Sequence, residues 1–312
     1  MEIFILAILP FLLTLIIVPI LIPFLRRAHF GQSILQIGPS WHNKKQGTPT
    51  MGGIAFILAI VITLAVYFSL THDEFFLDYM LYLLPALAFS LIGFLDDYIK
   101  VVKKQNLGLR AYQKFGLQLI VSVIFAYFYA DVCSAQIAIP FIGVIDMGNW
   151  FIPYCVFILV GVSNAVNLTD GVDGLISTLI PISLVFLFFA GELFSLLLPI
   201  TVISAVLGFL VYNRNPAKIF MGDTGSLFLG SFLAVCGIQN PIALLLVGII
   251  YFAETLSVIL QVIFFKTTGR RIFKMTPIHH HFEMSGWSEK KIVLIFSIVT
   301  IIFSVLAYIL FI

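Results

Sequence analysis

Asp96 and Asp97 stand side by side in LDDYIK (95–100), and Asp170 and Asp173 follow two amides, Asn164 and Asn167, in NAVNLTDGVDG (164–174). Asp223 lies in MGDTGS (221–226), Lys45 and Thr50 in HNKKQGTPTMGG (42–53), and three imidazoles, His279, His280 and His281, in PIHHHFE (277–283). Adjacent carboxylates repel, which suits one of them to accept a proton or both to share a cation. Lys100, three and four residues on, is a counter-charge or a phosphate contact. The plainer reading, a helix end reaching water, is opposed by the helix dipole, which disfavours negative charge at a C-terminus. In MGDTGS, small residues and hydroxyls open a helix: backbone N–H groups there suit phosphate, and Asp223 suits Mg²⁺, which takes one or two carboxylates and completes its shell with substrate phosphates. The alternative is a Gly-rich turn with a capping Asp; no GxxxxGK loop is present. Three consecutive imidazoles do not readily converge on one ion, so hydrogen bonds to a phosphate or sugar are their better role. Asn164, Asn167, Asp170 and Asp173 recur every three residues, a spacing that drifts by about 60° per step on a helix, so they cannot share a narrow face. A break at Gly171 is expected, curling the second half round a ligand. The Asp-x-x-Asp-Gly pattern lacks the ligand order of an EF-hand loop. Glu254, in an apolar run, reads either as a functional intramembrane acid or as a buried acid paired with a lysine.

These residues need a scaffold, and the composition says which kind. With 61% hydrophobic and 10% charged residues and a mean hydropathy of +1.12, the chain is an integral membrane protein. Apolar runs fall at about 3–25, 51–70, 78–95, 115–131, 150–166, 175–190, 193–212, 226–239, 241–265 and 291–311. They predict an all-α fold of ten transmembrane helices in one domain spanning 1–312. The first run is retained, not cleaved. With alternate loops assigned to opposite sides, all 17 Lys and Arg residues share one face. The positive-inside rule makes that face cytoplasmic and both termini external. The external loops are short and acidic (Asp73, Glu74, Asp78, Asp131, Asp146, Glu192), and 136–148 reads as a small external β-hairpin. Cys133, Cys155 and Cys236 are too dispersed for a disulfide framework or a zinc site. All five polar clusters then lie on the cytoplasmic side, as loops carrying a cytoplasmic active-site cleft on a rigid scaffold.

Taken together and in order, GTPTMGG, LDDYIK, NAVNLTDGVDGL, NRNPAKIFMGDTGS and PIHHHFE resemble the phospho-N-acetylmuramoyl-pentapeptide transferases, within the polyprenyl-phosphate sugar-1-phosphate transferase superfamily, from about residue 26 to the C-terminus. The resemblance implies a homodimeric enzyme of the bacterial cytoplasmic membrane. It would use Mg²⁺ to make lipid I and UMP from UDP-N-acetylmuramoyl-pentapeptide and undecaprenyl phosphate, a membrane lipid, with no nucleic-acid partner. It further implies that Asp223 holds the metal, that Asp96 and Asp97 sit at the lipid phosphate with one as base, and that Lys100 lies near the phosphates. Asn164, Asn167, Asp170, Gly171 and Asp173, with Lys45, Thr50, Asn213, Phe220 and Gln261, would line the nucleoside and pyrophosphate pocket. His279, His280 and His281 would contact the sugar-phosphate side.

Two rivals stand beside this. A transferase of N-acetylglucosamine-1-phosphate from UDP-N-acetylglucosamine to the same lipid is disfavoured by PIHHHFE with GTPTMGG. An anion transporter would place acids and helix breaks near the midplane and carry inverted repeats, whereas these clusters lie at one end. Phosphate attack on a pyrophosphate brings negative charges together, so positioning and neutralisation should dominate, and direct displacement is expected in place of a covalent aspartyl intermediate.

Overall fold

In hydrocarbon every backbone polar group must be paired internally, so long apolar runs fold as helices. The computed structural model describes residues 2–27, 45, 47–71, 75–103, 107–190 and 197–311. It contains α1 (Glu2–Arg27), α2 (Gly53–Thr71), α3 (Phe76–Val102), α4 (Ala111–Cys133), α5 (Phe151–Thr169), α6 (Leu175–Ala190), α7 (Leu198–Asn213), α8 (Gly222–Gly237), α9 (Pro241–Val247), α10 (Ile249–Thr268), α11 (Ile278–Glu283) and α12 (Glu289–Phe311). The expectations made for His42, Lys44, Asp73, Glu74, Lys104 and Glu192 lie outside the described residues.

Each expected apolar run overlaps described helical residues, and seven of the described helices are long and apolar enough to cross a membrane. The 16-residue α6, α7 and α8 are shorter. The run 241–265 is two helices, α9 and α10, because the chain turns at Gly248 (φ −96°, ψ 10°). The one sheet among the described residues is the hairpin β1 (Gln136–Ile139) and β2 (Gly143–Asp146), antiparallel with Ile137 opposite Ile145. Its inner edge is tied to the end of α8, where Ala138 N–H donates to the Gln239 carbonyl at 2.7 Å.

The organising helix is α8, in which every residue from Thr224 to Gly237 is buried. A helix apolar all round belongs inside a bundle, and the sequence GDTGSLFLGSFLAVCG supplies the small residues that let neighbours approach closely. Helices α3 and α5 lie against it, with α2 and α6 completing the surround. At Gly93 of α3 an added methyl would strike the backbone of Asp223, and at Gly230 of α8 it would strike Ser163 of α5. Helices α1 and α7 run parallel: Ser204 bonds Ala7, Gly208 packs on Phe11, and Tyr212 Oη donates to the Leu15 carbonyl. This packing brings the C-terminal ends of α3, α5 and α7 and the N-terminal ends of α4, α6, α8 and α12 to one end of the bundle.

The Gly93 contact is testable. Replacing Gly93 by Val forces α3 away from α8 and is expected to cost about 1–3 kcal/mol, read as a lower Tm of the detergent-solubilised protein. An unchanged Tm would mean that the two backbones do not meet there.

Candidate functional site

All five polar clusters meet at this end, joined by contacts between segments remote in sequence. The segment after Gly47 is pinned to the entrance of α8 by three backbone hydrogen bonds: Phe220 N–H to Pro49 O (2.9 Å), Gly52 N–H to Phe220 O (2.8 Å) and Gly53 N–H to Met221 O (2.9 Å). They hold the buried Met51 in the left-handed region (φ 68°), which costs an L-residue about 1–2 kcal/mol. Thr50 Oγ1 thereby lies beside Gly222, next to the Asp97 carboxylate.

Asp223, in the first turn of α8, is the hub. Its Oδ2 accepts from Lys100 Nζ at 2.9 Å and from Lys114 Nζ at 2.8 Å, and its Oδ1 from Asn167 Nδ2 at 3.0 Å. Three helices, α3, α4 and α5, therefore each contribute one donor to one carboxylate. Lys100 also pairs with Asp96 at 2.6 Å and approaches Asp97 at 3.8 Å. Asp97 Oδ2 is fixed by Thr224, whose N–H (2.9 Å) and Oγ1 (2.8 Å) both donate to it. Asp96 Oδ1 accepts from Leu109 N–H at 2.7 Å. The pair does not close its helix as expected: α3 continues to Val102, and the N-terminus of α8 supplies the favourable dipole end to Asp97. Oxygens of Asp96, Asp97 and Asp223 lie within 4.8 Å of one another, a hard, all-carboxylate set of the kind that suits Mg²⁺. The candidate metal group thus joins Asp223, the metal residue that the resemblance implied, to the Asp96–Asp97 pair, for which cation sharing was one of two readings.

A second wing forms around Asp173. Lys45 Nζ pairs with Asp173 Oδ1 at 2.7 Å and with Glu289 at 2.8 Å, and the Asp173 N–H donates to Glu289 Oε2 at 3.1 Å. Asp173 Oδ2 takes the Ala217 N–H at 2.9 Å and Asn215 Nδ2 at 3.3 Å, fastening the loop after α7. Burial pulls the Lys45 pKa down, but Glu289 and Asp173 outweigh it and leave it raised, so Lys45 stays cationic. Between the wings lies Asp170. Burial, and then the charges of Asp223, Asp97 and Asp173, push its carboxyl up to about 8 against the opposing effect of Lys45.

The four-residue ladder fans out as its spacing requires. Asn164 exchanges amide hydrogen bonds with Gln118 of α4, one turn below Lys114. Asn167 reaches Asp223 and Ser226, while Asp170 and Asp173 lie in the turn between α5 and α6. That turn starts after Thr169, and its left-handed residue is Gly174 (φ +77°), not Gly171. The imidazoles take different partners, although the His279 and His280 rings lie 4.1 Å apart: His279 faces Glu254, His280 Nδ1 contacts Glu283 at 2.6 Å, and His281 Nδ1 accepts from Lys274 N–H at 3.1 Å. Glu254 pairs with a histidine, so the lysine partner considered for it is not the one present.

Two expected pocket residues spend their amides on the scaffold. Asn213 is buried between Ser177 Oγ (2.7 Å) and the Ile219 carbonyl (3.0 Å). Gln261 holds the strap after α10, accepting from Ile272 and Phe273 N–H at 3.0 Å and donating to Phe273 O. Phe220 is half-buried beside Thr50, with its backbone in the bridge to Pro49. Lys114 and Glu289 were missed. A lysine in the first turns of a helix opposes the dipole, a signal that singles out Lys114; Glu289 sits where the dipole favours an acid and gives no such sign.

A carboxyl easier to protonate folded than unfolded contributes stability at low pH that is lost as pH rises through its folded value. Asp170→Asn should therefore give a Tm that falls less steeply than the wild type's between about pH 4 and 8, the unfolded and folded values. Parallel profiles would contradict the burial of Asp170 among these charges.

A model of glycosyl transferase family 4 matches residues 79–240, and phospho-N-acetylmuramoyl-pentapeptide-transferase signature 1 matches residues 45–57. The protein called phospho-N-acetylmuramoyl-pentapeptide-transferase in Staphylococcus carnosus is 50% identical over 314 residues, covering 96% of each chain. Its namesake in Halalkalibacterium halodurans is 47% identical over 308 residues, covering 96% of this chain and 94% of that one. In Listeria monocytogenes the figures are 48% over 296 residues, 92% and 91%.

Proposed function

The chain belongs to the phospho-N-acetylmuramoyl-pentapeptide-transferase family, and from that premise we propose that it transfers phospho-N-acetylmuramoyl-pentapeptide from the UDP-linked donor to undecaprenyl phosphate, giving lipid I and UMP. The observation that carries the reading is the convergence of Lys100 and Lys114 on Asp223 beside Asp96 and Asp97. Such a cluster can hold a divalent cation and two phosphorylated substrates together.

In the reaction an oxygen of the acceptor phosphate attacks the sugar-linked phosphorus of the donor. The bond from that phosphorus to the bridging oxygen breaks, and UMP leaves with that oxygen and its electron pair. The acceptor is already anionic at pH 7, so no carboxylate nucleophile is needed. Asp96 and Asp97 each have one oxygen tied to the protein and the other turned towards Lys100. That arrangement favours holding a cation, and taking up the proton of a singly protonated acceptor, over attack on phosphorus. Lys100 and Lys114 neutralise charge on the phosphates as these approach, and Asn167 orients Asp223. Mg²⁺ held by Asp96, Asp97 and Asp223 would supply charge neutralisation of the pyrophosphate and leaving group. Lys45, Thr50, Asp170, Gly171, Asp173 and Phe220 form the nucleotide side of the pocket, braced by Asn213. Asn164 supports Asn167 from the turn below, and the His279–His281 segment, held from behind by Gln261, forms the sugar-phosphate side.

We further read the fold as ten membrane crossings in one domain, with α9 and α10 forming one bent crossing, the site facing the cytoplasm and both termini outside. The protein would be a homodimer of the bacterial cytoplasmic membrane. The restriction of the polar clusters to one end speaks against transport.

Purified protein with undecaprenyl phosphate is expected to release UMP from UDP-N-acetylmuramoyl-pentapeptide and not from UDP-N-acetylglucosamine. The opposite preference would favour the N-acetylglucosamine-1-phosphate transferase reading. Asp223→Asn should lower turnover at least about a hundredfold while the protein still elutes as a folded species; full activity would remove Asp223 from the centre. Incubated with the donor alone, the protein should trap no phospho-sugar, and a covalent adduct on Asp96 or Asp97 would overturn direct displacement.

A further inference from the structure

One buried pair stands outside the chemistry described so far. Glu254, in α10, is fully buried, and no lysine or arginine lies within ion-pair distance of it among the described residues. Both its oxygens address a single residue. Oε2 accepts the backbone N–H of His279 at 3.3 Å, and Oε1 faces His279 Nδ1 at 3.0 Å. His279 is itself fully buried, and its second ring nitrogen, Nε2, has no hydrogen-bond partner among the described residues. That nitrogen is directed at Gly171, in the turn carrying Asp170 and Asp173, and is so close that a methyl group there would collide with it. Burying a polar atom unpaired costs about 1–3 kcal/mol, so the position demands a reason.

We propose that Glu254 is a positioning residue, which accepts Nδ1–H of His279 and so fixes the ring's tautomer and plane with Nε2 presented at the Gly171 wall of the pocket, to the sugar-phosphate part of the donor. The substrate named here rests on the transferase reading; the pairing itself does not. A carboxylate is the side chain that enforces this arrangement because it only accepts, obliging Nδ1 to be the donor. A glutamine of the same shape could turn its NH₂ to Nδ1 and release the other tautomer. The two-point grip on backbone and ring also removes the side-chain freedom that would let Nε2 wander, as outer-shell carboxylates do for functional histidines elsewhere. It also accounts for an acid buried in α10 that, among the described residues, pairs with a histidine and with no lysine or arginine.

The test begins with ¹⁵N-histidine NMR of the full-length protein in detergent, the His279 signal being identified by its loss in His279→Asn. The expected signal is that of a ring protonated at Nδ1, altered in Glu254→Gln. A bare Nδ1, or a signal indifferent to Glu254→Gln, would overturn the proposal. Turnover supplies the second arm: Glu254→Gln should lower kcat about 10–100-fold. In the His279→Asn background the same change should have less than about a twofold effect. Equal losses in both backgrounds would mean that Glu254 acts only on the structure, and would overturn the positioning role. Failure of the wild type to release UMP would instead sink the transferase reading, while the NMR result would still decide the pairing.

Discussion

A carboxylate at the end of a membrane helix bundle must be compensated, and the Asp223 carboxylate is compensated by three helices at once. Lys100, Lys114 and Asn167 reach it from α3, α4 and α5. The pairs are part-buried, so removing one partner leaves the remaining charges incompletely compensated. The placement of α8 is therefore a condition for the site, and the close approaches at Gly93 and Gly230 are what allow that placement. The fully buried α8 is the internal post of the bundle, on which the chemistry stands.

From this post the pocket divides by function. On one side Asp96, Asp97 and Asp223 gather with two lysines, an arrangement suited to cations and phosphates. On the other, Lys45 and Glu289 hold Asp173, and Asp173 in turn holds the loop after α7. The turn between α5 and α6 joins the two sides, and His279 closes against it at Gly171. The carboxyl of Asp170, between the two sides, is pushed up to about 8, first by burial and then by its acidic neighbours.

Much of this was legible in the chain. The apolar runs located the helices because membrane insertion leaves few alternatives to them, and polar clusters recurring at alternate breaks had to meet at one end. The three-residue spacing of Asn164, Asn167, Asp170 and Asp173 forbade a common face, and the structure sends them to different partners. What escaped depended on contacts between distant segments. The turn at Gly248 is invisible in an unbroken apolar run. Asn213 and Gln261 are amides whose partners, Ser177 and Phe273, are supplied by the fold. Glu289 lies at a helix start where an acid is ordinary, and its meeting with Lys45 spans 244 residues. Lys114 did carry a signal, a positive charge against a helix dipole, but one lysine among many on a basic face is easily passed over.

The carboxylates at the head of α8, with Lys100 and Lys114 beside them, are read as a divalent-cation centre for the phosphates. Mn²⁺ binding, followed by electron paramagnetic resonance with the nucleotide donor present, measures this without recourse to turnover. One ion bound per chain, abolished by Asp223→Asn and coupled to phosphorus, is the expected result. An ion retained in that variant, or one that shows no coupling to the donor's phosphates, would contradict it.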